Sequence, residues 1–140
     1  GIKHQNKDWG ADNWYKLVEK IKSDYLIIQT QHNKSENIEN VFNTGDTNFR
    51  EACSVLSKCD LYLGPEGGFG HAAAALNKKA VIYFGGWISP EIIGYSSHQN
   101  IFFEDKKSPC GEYKKICDHC EEAKKKITVN MFEDCIRKIL

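Results

Sequence analysis

The residues with the clearest chemical use form the glycine-rich run Gly64-Pro65-Glu66-Gly67-Gly68-Phe69-Gly70-His71. Gly67, Gly68 and Gly70 lack side chains, so their backbone N–H groups can approach a diphosphate closely and donate hydrogen bonds to it. His71 could donate an imidazole N–H to a phosphate oxygen, and Glu66 could accept from a sugar hydroxyl. The simpler alternative is a strand-to-helix turn that needs flexible residues, with His71 as its cap.

The flanking sequence predicts the elements that would position this loop. Residues 61–63 predict a short apolar strand before the glycines, and residues 72–76 predict a helix of small residues after them. Residues 80–84 predict a second buried strand, which ends at Gly85. The order strand, loop, helix, strand is typical of α/β nucleotide-binding folds, although the spacing is neither G-x-G-x-x-G nor that of the Walker A loop.

A second candidate site follows the second of these strands. Gly86 and Trp87 lie where a parallel strand ends, and ligands of open α/β sheets bind beyond the carboxyl ends of strands. Trp87 could stack on a base or a sugar, or it could pack as the anchor of its loop.

Four of the six cysteines lie after residue 109, at Cys110, Cys117, Cys120 and Cys135, and His119 lies inside the Cys-x-x-Cys pair. Thiolates at such spacing can hold zinc tetrahedrally, but the usual site has two such pairs and this chain has one. Cys135 falls on a predicted helix, where it can simply be buried. We therefore predict no metal and no cofactor, with a disulfide or free thiols favoured over a zinc site. Redox catalysis is less favoured still, because the pair follows a charged loop and not a strand.

The rest of the chain predicts further helices and strands in alternation. Asp12 can cap a helix that ends near Lys22, and Thr47 can cap a second helix. Short strands are expected at residues 25–28, 41–42 and 101–103, a polar irregular segment at residues 29–40, and a loop at residues 87–99. Apolar residues at helical spacing predict an amphipathic helix at the C-terminus: Val129, Phe132, Ile136 and Ile139. This alternation predicts an α/β fold, Rossmann-like, with a parallel sheet and helices on both faces.

Size and charge exclude several classes of protein. The chain has 140 residues, enough for one domain with a real core, and 41% of them are hydrophobic. Nineteen basic residues balance nineteen acidic ones, which gives no support to a nucleic-acid partner. No apolar stretch approaches the length of a membrane span.

Residues 60–86 resemble the C-terminal nucleotide-sugar domain of glycosyltransferase family 9, the ADP-heptose:lipopolysaccharide heptosyltransferases. That family typically has a strand, then Gly-Pro-Asp-Ser-Gly-Pro-x-His, a small-residue helix and a strand ending in Phe-Gly. Lys7-Asp8-Trp9 resembles the family's Lys-x-Trp turn, and Ser108-Pro109-Cys110 with the later cysteines resembles its Pro-Cys…Cys segment. This chain departs from the pattern in having Glu66-Gly67 where Asp-Ser is usual, in a loop one residue longer.

The resemblance implies half of a GT-B transferase, with residues 1–140 as one domain that binds a nucleotide-diphosphate sugar, an ADP-sugar being favoured. Gly67, Gly68 and His71 would contact the diphosphate. Lys7 would add a positive charge there, unless it is one more solvated lysine. Such groups can stabilise a leaving diphosphate without a metal. The resemblance also implies a cytoplasmic location, at the inner face of the bacterial membrane, and a carboxylate base in an N-terminal domain that this chain lacks.

Three functions fit these patterns. The favoured one is the donor-binding domain of a glycosyltransferase that moves a heptose-like sugar onto lipopolysaccharide or another surface glycan, inactive in isolation. The alternative is a stand-alone nucleotide- or sugar-binding module without catalysis. A nucleotide-sugar epimerase or hydrolase of GT-B shape would need further acidic catalytic residues, which the sequence does not place.

Overall fold

A computed structural model describes residues 5–31, 37–112 and 115–140. A 3₁₀ turn at Gln5–Lys7 precedes helices and strands in this order: α1 Ala11–Ile21, β1 Ile28–Gln31, β2 Phe42–Asp46, α2 Phe49–Lys58, β3 Leu61–Pro65, α3 Gly68–Ala75, β4 Lys79–Gly85, α4 Pro90–Ile93, β5 Gln99–Phe102, α5 Asp118–Lys126 and α6 Val129–Ile139.

All of the strand pairs are parallel. The strands form two hydrogen-bonded ladders, β1-β2 and β3-β4-β5, with β4 in the centre of the larger one. Because β4 lies between two partners, its residues from Ala80 to Gly85 are all buried. The predicted parallel α/β architecture is confirmed.

Helices cover both faces of the larger sheet. Val81 and Tyr83 point to one side of β4, where they pack with Trp9, α1 and α6. Ile82 and Phe84 point to the other side, where they pack with Leu56 of α2 and Ala73 of α3. This alternation follows from the two-residue period of a strand and gives the domain a core on each face.

Trp9 is the largest residue of the first core and is 1% exposed. Its ring stacks on Phe132 at 4.2 Å between centroids, and its indole N–H donates to the Ile127 carbonyl at 3.0 Å. The predicted inner face of α6 is confirmed, since Phe132 and Ile136 are buried in this core, where Leu17 and Ile21 of α1 pack as well.

Both predicted caps are wrong. Gly10 is the N-cap of α1, and Asp12 lies inside the first turn. Asn48 caps α2, because its side chain accepts from the Glu51 amide at 3.0 Å while the Glu51 carboxylate accepts from the Asn48 amide at 2.8 Å. Thr47 donates to the Gln31 carbonyl instead.

Three predicted elements also differ from the structure. The strand expected at residues 25–28 forms at Ile28–Gln31, where Ile28 is exposed and the other three residues are half-buried. The segment at residues 29–40 is therefore partly strand, and its residues 32–36 lie outside the described residues. The loop at residues 87–99 contains the one-turn helix α4, which Ser89 caps. In the part of the chain that the structure describes, no helix is both long and apolar enough to cross a bilayer.

Candidate functional site

The turn between β3 and α3 presents open backbone amides. The Glu66 amide donates to the Tyr83 carbonyl, which extends the sheet by one bond, and helical bonding resumes at His71 with a donation to the Gly67 carbonyl. Between these two points, the amides from Gly67 to Gly70 have no acceptor among the described residues. These are the N–H groups that the first turn of any helix leaves unpaired, and they lie at the positive end of the helix dipole.

Gly67 gives this turn its shape. Its φ of 145° and ψ of −161° belong to a region that residues with a side chain essentially do not adopt. A Cβ at Gly67 would also lie 3.7 Å from the Lys7 ammonium nitrogen. That distance is an ordinary contact, so the glycine is needed for the backbone angles of the turn and not for the approach of Lys7.

An open crevice lies beside these amides. It is small and open to solvent, and its walls come from the β3–α3 turn, from β4, and from the stretch that runs from the end of α4 into β5. Glu66, Gly67, Gly70 and His71 line one side of it. We call this space the crevice below.

Lys7 and Glu66 meet at the edge of the crevice. The Lys7 ammonium nitrogen lies 3.2 Å from Glu66 Oε1, and the Glu66 side chain is only 5% exposed. The contact is electrostatic, because its angles are not those of an aligned hydrogen bond. The two charges offset each other, so the carboxylate does not oppose an anion bound at the amides as strongly as it would alone.

His71 lies in the first turn of α3 and is exposed. Its Nδ1 is 2.9 Å from the Tyr95 hydroxyl, and the two rings meet edge to face at 5.7 Å. When Nδ1 accepts a hydrogen bond from the Tyr95 hydroxyl, Nε2 carries the imidazole N–H and can donate to a ligand. Tyr95 was missed at the sequence level, because nothing in its loop marks it.

Two further polar side chains line the crevice. His98 Nε2 and Asn100 Oδ1 are buried, and neither has a hydrogen-bond partner among the described residues. Burial lowers the pKa of His98, against a smaller opposite effect of the Lys78 backbone, so its neutral form is favoured. Both are groups that a ligand hydroxyl or amine could satisfy. From the sequence, His98 falls in a predicted loop and Asn100 lies just before a predicted strand, so neither was identified as a site residue.

An aromatic surface lies on the outer side of the same turn. Phe49 is 56% exposed, and its ring lies 5.2 Å from that of Phe69. A Cβ at Gly68 would be 3.6 Å from the Phe49 ring, so the start of α3 is in contact with this ring. A flat apolar face beside a phosphate-type turn could stack on a base.

Gly86 and Trp87 do not line the crevice. Gly86 is buried, and a Cβ there would lie 2.6 Å from His119 Cε1. The amides of Cys110 and Gly111 donate to the carbonyls of Gly86 and Trp87 at 3.1 and 3.0 Å. The loop that holds Cys110 therefore packs on this segment, and a role of Gly86 and Trp87 in ligand binding stays a prediction.

Four side chains that could hold a metal come together at the start of α5. The possible ligand atoms of Cys110, Cys117, His119 and Cys120 all lie within 4.8 Å of one another. We call these residues the Cys/His cluster. Cys135 is not part of it, since it packs against the core around Trp9. The sequence-based set of cysteines thus contained three of the four members and missed His119 as a partner.

The thiols of the cluster differ in environment. A hydrogen bond from the Cys120 amide lowers the pKa of Cys117, whereas burial raises the pKa of Cys120. All six cysteines are free thiols in the structure.

The sequence model of glycosyltransferase family 9 (heptosyltransferase) matches residues 2–121. The chain belongs to glycosyltransferase family 9. This family match covers the 3₁₀ turn, the crevice and the Cys/His cluster. The resemblance to family 9 that was inferred from the glycine-rich loop and its flanking elements is confirmed.

Solved structures of a heptosyltransferase have the same fold. The structure of E. coli heptosyltransferase WaaC with ADP matches with a TM-score of 0.75 at 15% identity, over 100% of this chain and 42% of that one. The same enzyme with ADP-2-deoxy-2-fluoro heptose matches with a TM-score of 0.69 at 15% identity, over 99% of this chain and 41% of that one. No curated protein sequence gives a significant match. The family 9 chain described here thus spans about two fifths of the enzyme chains it resembles.

The likeness to these structures shows the fold of this chain, and the family match covers the residues that build the crevice. The structure brings four of the predicted ligand contacts to one place, namely Lys7, Glu66, Gly67 and His71. Gly68 and Gly70 belong to the same turn and supply two of the open amides.

Proposed function

We propose that this chain is the donor-binding domain of a glycosyltransferase that takes a heptose-like sugar from a nucleotide-diphosphate sugar, with an ADP-sugar favoured. The open amides from Gly67 to Gly70, with a crevice beside them, are the single observation that supports this most strongly. A diphosphate is the ligand that several convergent N–H groups at a helix start suit best.

The side chains around these amides have matching roles. Lys7 would turn from Glu66 towards the diphosphate, and His71 would donate from Nε2. Both would stabilise the negative charge that develops on the nucleoside diphosphate as the sugar leaves. The Glu66 carboxylate, freed in part from Lys7, would accept from a hydroxyl of the donor.

A second domain would complete the enzyme. It would hold the acceptor, a lipopolysaccharide precursor or another surface glycan, and would supply the carboxylate base. The reaction would take place in the cytoplasm, at the inner face of the membrane. Residues 1–140 alone would bind nucleotide and transfer sugar poorly, whereas a stand-alone binding module would show binding with no partner domain that activates transfer.

A thermal-shift panel of ADP-, UDP- and GDP-sugars tests the proposal. A ligand at 100 times its Kd adds about 2.7 kcal/mol to the free energy of unfolding, which raises the Tm by several degrees. We expect a nucleotide-diphosphate sugar to produce this shift, largest with the ADP-sugar. If no member of the panel changes the Tm, the proposal is wrong.

His71→Ala locates the site. His71 is exposed, so its loss leaves the free energy of unfolding nearly unchanged, while most of the ligand-induced shift should disappear. Glu122→Ala, an exposed residue of α5 outside the crevice, is the matched control and should keep the full shift. An unchanged shift in His71→Ala would move the site elsewhere.

A further inference from the structure

The Cys/His cluster has the spacing of an assembled metal site. The sulfur atoms of Cys110 and Cys120 lie 3.4 Å apart, and those of Cys110 and Cys117 lie 3.8 Å apart. Sulfurs bound tetrahedrally to zinc at about 2.3 Å are about 3.8 Å from one another. Two of the sulfur–sulfur separations are therefore close to those of a zinc site, and all four ligand atoms lie within 4.8 Å of one another.

The two ring nitrogens of His119 have different surroundings. Its Nε2 lies 2.9 Å from the Asp105 carboxylate and 3.0 Å from the Ser108 hydroxyl. Its Nδ1 is buried and has no hydrogen-bond partner among the described residues, and the side chain is only 3% exposed. A ring whose one nitrogen is held by a carboxylate while the other is free has the arrangement of a zinc-bound histidine.

A disulfide explains this arrangement less well. Joining any two of the three cysteines would use only two of the four converging groups. The buried Nδ1, which has no hydrogen-bond partner among the described residues, would gain nothing from that bond. A metal ion satisfies all four groups at once.

We propose that Cys110, Cys117, Cys120 and His119 Nδ1 bind one Zn²⁺. The three thiols bind as thiolates and release three protons, so the loaded site has a net charge of −1. Four protein ligands close the coordination sphere, which is the arrangement of structural zinc sites, whereas catalytic zinc keeps an open position. This inference does not rest on the proposed sugar transfer.

The position of the cluster indicates what the metal would stabilise. The Cys117 amide donates to the buried Asn6 side chain at 3.2 Å, and Asn6 in turn donates to the Glu112 and Lys115 carbonyls. Asn6 directly precedes Lys7. Zinc would thus fix the 3₁₀ turn that holds Lys7 at the crevice.

Metal analysis of the purified protein tests the proposal. The protein is expressed with added zinc and purified under reducing conditions, and its zinc content is measured by inductively coupled plasma mass spectrometry. We expect about one zinc per chain, and loss of zinc in Cys117→Ser and in His119→Gln. Cys135→Ser and Cys53→Ser are the matched controls, because neither residue belongs to the cluster, and both should keep the metal.

Replacement by Co²⁺ gives a readout that does not depend on the folding of a variant. The unaltered protein should show the strong visible absorption of tetrahedral cobalt together with the near-ultraviolet bands of thiolate ligation. Asp105→Asn, which changes a positioning residue, should weaken zinc affinity by about 10–100-fold. A protein that binds neither metal under reducing conditions would overturn the proposal. So would a count of four free thiols instead of six after denaturation of the purified protein, because two cysteines would then form a disulfide.

Discussion

The crevice and the Cys/His cluster are built from different parts of the chain. The crevice combines the open amides of the β3–α3 turn with side chains from β4 and from the α4–β5 stretch. It is open to solvent, with an exposed His71 at its edge. The cluster is made of side chains, and its His119 and Cys120 are buried. An open surface suits a ligand that must bind and leave, whereas an enclosed set of four donors suits an ion that stays.

The two regions also use glycine differently. At Gly67 the glycine is needed for its backbone angles, because a side chain is not tolerated at that φ and ψ. At Gly86 it is needed for space, since His119 lies where a Cβ would be. Substitutions at these positions therefore test whether conformation governs one region and packing the other.

The largest effect is expected for Gly86→Ala. The added Cβ would lie 2.6 Å from His119 Cε1, so the buried imidazole must move. We expect a loss of about 1–3 kcal/mol in the free energy of unfolding, as for other overpacked sites, together with loss of the bound zinc. Urea denaturation and metal analysis measure the two effects.

Gly70→Ala is the matched control for this change. Its Cβ would meet Ile82 Cδ1 at 3.6 Å, an ordinary contact. A Gly86→Ala protein as stable and as zinc-rich as Gly70→Ala would show that packing against His119 does not matter.

The next largest effect is expected for Gly67→Ala. Forcing a residue with a side chain into this conformation costs about 1–3 kcal/mol, and the turn would relax away from the Lys7 ammonium. Gly68→Ala, the next residue, has room for a Cβ and should be neutral or more stable by up to about 1 kcal/mol. Thermal unfolding of both variants decides the matter, and equal melting temperatures would contradict the conformational explanation.

Lys7→Met should weaken nucleotide binding by about tenfold. A hydrogen bond to a charged phosphate contributes about 1.5–3 kcal/mol, and part of this is offset because Lys7 must leave Glu66. Isothermal titration calorimetry with ADP measures the change. Lys22→Met, which removes a lysine paired with Glu19 on the surface, should bind ADP normally. Equal ADP affinities for the two variants would show that Lys7 is a solvated surface lysine that does not contact the nucleotide.

The smallest effect concerns His98, the buried histidine of the crevice. Burial lowers the pKa of His98 below its ordinary value near 6.5, so the unfolded chain takes up a proton more readily than the folded one. Its contribution to stability is complete above about pH 6.5 and is lost as the pH falls towards the folded pKa. The Tm should therefore fall more between pH 7 and pH 5.5 for the unaltered protein than for His98→Gln. Identical pH profiles would show that His98 does not contribute.

Most of the elements that position the crevice were predictable from the sequence. The runs before and after the glycines are short and apolar, and the central strand is buried on both faces, so the strand, turn, helix and strand were identified correctly. The caps of α1 and α2 were not. Helix α1 has Gly10 at its N-cap and no side-chain cap, and at α2 the polar Asn48 takes the position next to Thr47.

The missing parts of both sites depend on tertiary contacts. Tyr95 reaches His71 from 24 residues away, and His119 joins the cysteines only because α5 begins at Asp118 and turns its first residues towards Cys110. Helix α5 itself was missed, since its sequence is dominated by charged residues with a weak apolar stripe. From the sequence, Cys135 was the fourth candidate metal ligand, whereas in the structure His119 is the fourth member of the cluster.

The binding of nucleotide at the start of α3 can be observed directly by NMR. At 16.0 kDa the protein is small enough for assigned ¹⁵N–¹H spectra. On titration with ADP, the account predicts that the largest shifts occur at the amides of residues 67–70, with smaller ones along β4. Shifts confined to another surface, or none at millimolar ADP, would contradict it.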